Sequence, residues 1–471
     1  MTRFNSALEC AAAIKSRSIS PVEVLDHYLA ETDRLNPQLN AFALRDDDRA
    51  RKDAIAAADI VANTPVEDLP PFIGVPIPIK DLNNVEGWLT TMGSSAVPDL
   101  PADEDDQPVA RLRQAGFVLM GKTTTPEFGS ISMTESQRFG ATRNPWNPDY
   151  TPGGSSGGAG SAVAAGMAPI AHASDGGGSI RIPASCNGLV GLKASRNRIT
   201  DRVARLAGAT TSGVLSRTVA DTAALLDVLS HIDHGAWNNP SAPPRPWSQE
   251  VGVAPGKLRI RVAQTNALGV PIDPACADAA SETADLLADL GHEVSESDPI
   301  WPDAGQFLTA FLTVWSTITA GTDELNVDLL EPHNRASRAQ AMATSSIEYA
   351  QAVIALQMAS REVSSQFDRD FDVLVTPTMA VEPPAVGSIW IGAEDDPSMP
   401  MMNAAPMAAF TAMFNVTGQP AISLPLHTSE SGLPIGVHFV GGPWQEETLI
   451  RLASQIESER PWADRWPTLA G

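Results

Sequence analysis

Apolar positions change their period several times along this chain. Near the N-terminus they recur at helical spacing, and Val22, Leu25, Tyr28 and Leu29 share one face. In front of them Ser20-Pro21-Val22-Glu23 forms a capping box, with serine at the N-cap, proline at N1 and glutamate at N3. Asn36-Pro37 reads as the end of this helix, and a further helix follows the acidic turn Asp46-Asp47-Asp48. Residues 1–65 are therefore expected to be a helical outer layer or arm without strands. At Pro70-Pro71 the pattern becomes short, apolar and β-branched. Phe72–Asp81 reads as a buried strand or irregular hairpin that ends in the charge pair Lys80-Asp81. A helix at 106–115 and a second strand, Gly116–Lys122, follow.

From there strands and helices alternate. The polar, proline-rich segment 136–153 reads as a loop, Gly157–Gly166 as a closely packed small-residue helix, and Ala168–Ser174 as a strand. Thr218 caps another helix. Residues 235–257, rich in Pro, Trp and Ser, read as a surface connection. Leu258–Ala263 is a strand, and Asp273-Pro274 starts a helix that runs to Leu290. Residues 304–370 are mostly helical, Phe371–Val375 is a strand, and 380–410 reads as a loop over a pocket. The strands Pro420–Leu426 and Leu433–Val440 precede a last helix at 445–459. No internal repeat is visible. This alternation favours one large α/β domain, although length alone would allow several. Residues 66–471 are read as its core, with 235–410 as a more variable, substrate-covering part.

Composition narrows the class. The 471 residues are 43% hydrophobic and 19% charged, which allows a large core and argues against global disorder. A formal net charge of −24 repels phosphate backbones, so nucleic acid is disfavoured as a partner. The three cysteines, Cys10, Cys186 and Cys276, lie far apart and form no metal-binding or disulfide framework. No cofactor or metal is expected. The first residues lack the apolar core of a signal peptide, and no apolar run reaches transmembrane length. A cytoplasmic protein without membrane association is the expectation.

The candidate chemistry lies between Thr151 and Gly191. Two serines stand among glycines there: Ser155 in Gly153-Gly154-Ser155-Ser156-Gly157-Gly158, and Ser179 after Gly176-Gly177-Gly178. Apolar runs on both sides, such as Ala162–Ala165, argue against a flexible linker. Gly153–Gly157 formally matches the G-x-S-x-G nucleophile elbow. The stretch before it carries three prolines in nine residues and cannot be the central strand an elbow needs. His427 and His438 are available as triad histidines, but neither has a supporting motif, and a lone strand histidine is more often structural.

Ser179 is better placed to attack a carbonyl. It follows a strand and an Asp-Gly-Gly-Gly turn, where the N–H groups of Gly176, Gly177, Gly178 and Ser179 can form an oxyanion nest. A lysine can act as its base when burial lowers the lysine pKa. Lys80, Lys122 and Lys193 all end or flank apolar runs, and composition does not choose among them.

Together these segments resemble the amidase signature family. The resemblance rests on Gly74-Val75-Pro76 with Lys80-Asp81-Leu82, Gly121–Glu127, Thr142–Trp146, Pro152–Gly158, Asp175–Arg181, Gly188–Lys193, Gly418–Ser423 and Leu433–Val437. It implies a single domain with a mixed, twisted β-sheet covered by helices on both faces. It also implies a Ser–Ser–Lys arrangement: Ser179 as nucleophile, Ser155 as a bridging serine in a cis peptide, and Lys80 as general base. Asp175 and Arg181 match family positions read as support for the nest.

The implied activity is hydrolysis of an amide C–N bond through an acyl-enzyme. One family branch, the glutaminase subunit of a tRNA-dependent amidotransferase, carries an acidic residue shortly before its N-x-x-G-x-P segment. Here Met407–Asn415 has none, which argues against glutamine. That subunit, which would need partner chains, is the alternative reading, and a catalytically silent binding protein is a further rival. The motifs look most like bacterial general amidases, aryl acylamidases and cyclic nylon-oligomer hydrolases. With Trp390, Met401 and Met402 they point to a small, fairly apolar amide or anilide as the partner. A homodimer stays open.

Overall fold

The computed structural model describes residues 4–201, 203–322 and 324–470. Two sheets carry the chain. The smaller has three strands, β1 (Phe42–Leu44), β2 (Pro76–Lys80) and β3 (Val118–Thr123), in the order β1-β3-β2. β2 runs parallel to β3, and β1 is antiparallel to it. A short ribbon joins β4 (Glu135–Ser136) to β5 (Gly140–Ala141).

The larger sheet has eight strands: β6 (Ala171–Asp175), β7 (Val190–Lys193), β8 (Thr211–Ser216), β9 (Arg259–Val262), β10 (Glu293–Glu296), β11 (Val373–Pro377), β12 (Ala421–Thr428) and β13 (Pro434–Gly441). Their spatial order is β10-β9-β11-β13-β12-β7-β8-β6. The first three are mutually parallel and all later pairs antiparallel, so the sheet is mixed.

Helices cover both faces, and β13 shows why. Side chains alternate along a strand. Ile435, Val437 and Phe439 join the core beneath the helices Pro274–Asp289 and Glu446–Glu459. Val440 joins the opposite core, with Phe307, Val363 and Phe414, while Gly436 and His438 face the helix Arg181–Asn187. The result is one α/β domain around a large mixed sheet. Among the described residues, no helix is long and apolar enough to cross a membrane.

Three expectations change. The helix that starts at Pro21 passes through Pro37 and ends at Leu39. Proline forfeits only one backbone bond this close to the end. The turn is closed by Asn40, left-handed at φ 51°, and by the Asn36 side chain, which accepts from Ala41 and Phe42 N–H. The N-terminal segment also contains a strand, because β1 completes the smaller sheet beside β3. Three residues are too few for a periodic signal. Finally, 380–410 is not wholly loop: Met399–Ala408 is a helix, with Pro400 in its first turn, where proline is tolerated.

The serine segment lies between the two sheets. The helix Gly157–Ala164 is wholly buried, and β2 lies against β6 at the edge of the large sheet. A Cβ on Gly158 would come within 2.5 Å of Thr124 N, so glycine is what permits this approach.

Candidate active site

β2 packs against β6 and also against the helix Gly157–Ala164 that follows Ser155, and this brings Lys80, the last residue of β2, to Ser155. Lys80 Nζ donates to Ser155 Oγ at 2.8 Å and to Ser174 O at 3.3 Å. Ser155 Oγ donates to Ser179 Oγ at 3.0 Å. The three side chains form one line, closed to water at Lys80 and most open at Ser179, which is 8% exposed. The Gly154–Ser155 peptide is cis.

The three candidate lysines have different surroundings. Lys122 is opposite Ile79 in the β2–β3 register, whereas Lys80 is opposite Thr123, so the two lysines leave opposite faces of the small sheet. Lys122 is paired with Asp81 at 2.8 Å and donates to Thr90 Oγ1 and Leu89 O. Lys193 donates to Ala194 O and has no bond to either serine among the described residues. Burial lowers the Lys80 ammonium to about 7, against a smaller opposing pull from Asp175. Lys193 is lowered to about 7 as well, again chiefly by burial, so proton affinity alone does not separate the two. The contact with Ser155 does.

The Asp175-Gly176-Gly177-Gly178-Ser179 turn leaves the end of β6 and is held from behind. Asp175 accepts from Gly178 N at 2.8 Å and from Ile180 N at 3.1 Å. Arg181 grips the same carboxylate through Nε and Nη2, both at 3.0 Å. Burial would raise the Asp175 pKa, but the Arg181 charge and its hydrogen bonds hold it well below the usual carboxylate range. Asn415 donates to Asp175 Oδ1 and accepts from Arg181. Burial, then the charge of Arg181, depresses His438, whose neutral Nε2 lies 3.0 Å from Arg181 Nη1.

This arrangement divides the four N–H groups named from the sequence. Gly178 N–H already serves Asp175. The N–H groups of Gly176, Gly177 and Ser179 have no protein acceptor among the described residues. Gly178 is thus part of the scaffold, because its peptide faces the carboxylate that shapes the turn. Asp175 and Arg181 support the turn, and neither carries a bond to Ser155 or Ser179.

Ser179 opens on a cavity with about 700 Å³ of free space including its mouth. Its walls include Phe307, Phe311, Trp315, Met401, Met402 and Ala408, and among the described residues no charged side chain lines it. Phe311 stacks on Trp315 with ring centroids 5.3 Å apart. The tip of the Trp315 ring would lie 3.6 Å from a Cβ on Gly176 or Gly177, so the aromatic wall rests directly on the turn. Trp390, expected with Met401 and Met402 in the pocket, is not among its lining residues: it packs in the cluster of Met401 and Ile389, with its Nε1–H on Glu135.

Neither histidine completes a triad. His438 is behind the turn, and His427 lies near the surface beside Glu282. The sequence reading missed Thr411 and Asn415. Thr411 Oγ1 donates to Gly177 O at 2.7 Å, and Asn415 binds Asp175 as above. The available signal was their position just before the Gly418-Gln419-Pro420 motif.

Comparison with known proteins identifies the family and the fold. The family model described as Amidase matches residues 23–450. The chain is 37% identical to the 6-aminohexanoate-cyclic-dimer hydrolase of Paenarthrobacter ureafaciens, covering 99% of this chain and 97% of that one. The structure of 6-aminohexanoate cyclic dimer hydrolase complexed with substrate superposes with a TM-score of 0.92 at 35% identity, covering 99% of both chains. A bacterial aryl acylamidase of the amidase signature family superposes with a TM-score of 0.87 at 25% identity, covering 100% of this chain and 99% of that one.

Proposed function

The chain belongs to the amidase family and is a hydrolase of amide C–N bonds, and on that premise we propose a serine acyl-enzyme mechanism for it. The observation that carries the proposal is the unbroken line Lys80–Ser155–Ser179 opening on an uncharged cavity. Neutral Lys80 accepts the Ser155 hydroxyl proton, and Ser155 accepts that of Ser179, reversing both hydrogen bonds of the line. Ser179 Oγ then forms a bond to the amide carbon. The carbonyl oxygen becomes an oxyanion, within reach of the Gly176, Gly177 and Ser179 N–H groups. As the C–N bond breaks, the proton returns through Ser155 to the departing amine. Water then bonds to the acyl carbon and gives its proton to the same relay; the bond from that carbon to Ser179 Oγ breaks, and the relay returns the proton to Ser179 as the acid leaves.

The cavity favours a small, uncharged, fairly apolar amide. An ionised carboxylate or ammonium would lose its hydration there without finding a partner. A neutral cyclic amide, as in the relative's name, meets this requirement, and so does an anilide. Glutamine, with two charged groups, does not. The test is a panel of linear amides, cyclic amides, anilides, esters and glutamine, with detection of released amine or ammonia. An alkyl fluorophosphonate is expected to modify Ser179 alone, as read by peptide mass spectrometry. Modification elsewhere, or preferred turnover of glutamine, would overturn the proposal.

A further inference from the structure

The nucleophile turn is also held from the front. Thr411 is fully buried, and its Oγ1 donates to Gly177 O at 2.7 Å, with a longer contact of 3.4 Å to Ala408 O. The N–H of that same peptide unit, on Gly178, donates to Asp175 Oδ1 at 2.8 Å. The 177–178 peptide is therefore pinned at both edges, from opposite sides. It is the hinge between the two peptides that present the Gly177 and Ser179 N–H groups. The next peptide has its own support, because Gly178 O accepts from Ile182 N–H at 2.7 Å. Within the run of glycines, whose backbone freedom is the widest of any residue, Thr411 and Asp175 are what hold the 177–178 unit. Gly178 adopts φ +136°, and a Cβ there would fall 2.3 Å from Thr411 Oγ1, so turn and threonine are complementary.

Thr411 follows the helix Met399–Ala408, which supplies Met401, Met402, Ala404, Ala405 and Ala408 to the cavity wall. Its other neighbour, Ala412, lines the cavity as well. One short segment thus both touches whatever fills the cavity and fixes the carbonyl that sets the nest.

We propose that Thr411 is a positioning residue that couples filling of the apolar cavity to alignment of the Gly177 and Ser179 N–H groups. The inference rests on the reading of Ser179 as nucleophile and of this turn as its oxyanion site. A group packed against Met401 and Met402 presses the segment onto the turn. Its benefit then appears in the bond-forming step and not in binding.

The test uses the full chain with ethyl and octyl fluorophosphonates, whose attack by Ser179 places developing charge in the same nest. For the wild type, the maximal inactivation rate is expected to be higher with the octyl probe. In Thr411→Val, which keeps the shape and loses the donor, this rate should fall by about 10- to 100-fold and the octyl advantage should vanish. The half-saturating concentration should stay within about threefold, and Thr411→Ser should restore the rate. Thermal unfolding of each variant separates this effect from misfolding. A Thr411→Val enzyme that reacts like the wild type, or one whose loss lies only in half-saturation, overturns the coupling alone. So does a folded Thr411→Ser enzyme as slow as Thr411→Val. A wild type with no label at Ser179 overturns the nucleophile reading and this inference together.

Discussion

Asp81 lies next to Lys80 in the chain, yet its carboxylate is 2.8 Å from Lys122 Nζ. Both partners are buried, and Asp81 also binds Thr91. The carboxylate nearest to Lys80 in sequence is thus committed elsewhere, and Lys80 is left with neutral partners, Ser155 and the Ser174 carbonyl. Burial acting on an ammonium without an ion-pair partner explains why Lys80 falls to about 7.

The pH dependence of catalysis follows from this. Below about 7 Lys80 is protonated and cannot accept the relay proton; above it the neutral amine dominates. Initial rates on any amide it hydrolyses, measured from acid to mildly alkaline pH, should rise through that point. An acid optimum would contradict the relay.

Replacing Lys80 by methionine should abolish turnover and stabilise the fold. In the unfolded chain this lysine holds its proton up to its ordinary value of 10.5, and in the folded chain only below about 7. The unfolded state therefore binds more protons between these values, so the destabilisation is full below 7 and fades as pH rises toward 10.5. Thermal unfolding should show Lys80→Met ahead of the wild type by more at pH 6 than at pH 10.

The two serines should differ in how they fail. Ser179→Ala should lose fluorophosphonate labelling and on the order of 10⁴-fold or more in turnover, since no covalent step remains. Ser155→Ala keeps the nucleophile but breaks the proton line, and should lose roughly 10²- to 10⁴-fold. Labelling rates and steady-state turnover on the same preparations distinguish the two.

Cavity polarity can be tested at Ala408. Ala408→Asp places an unpaired carboxylate on an uncharged wall. It should cut kcat/KM for a neutral anilide by at least about tenfold, because substrate must compete with hydration of that group. An unchanged kcat/KM would show that substrate does not use this wall.

The support behind the turn should matter for stability as well. Asp175→Asn leaves the Arg181 guanidinium buried without its counter-charge. Loss of one partner from a buried pair costs about 3–5 kcal/mol, which denaturant unfolding would read as a lower midpoint.

What the sequence determined by itself was local. The capping box at Ser20–Glu23, the strand before the second glycine cluster and the buried strand ending at Lys80 are all short-range patterns; the box forms as expected, and the strands form with shorter starts, at Ala171 instead of Ala168 and at Pro76 instead of Phe72. Tertiary structure decided what depends on distance. Lys80 and Ser155 are 75 residues apart, and only the packing of β2 against both β6 and the helix Gly157–Ala164 makes them neighbours. The same packing gave Asp81 to Lys122, turned Gly178 N–H toward Asp175, and brought Thr411 to Gly177 from 234 residues away. A hydrogen bond needs its two atoms within about 3 Å, and hydrophobic periodicity orients a face without choosing which face it meets.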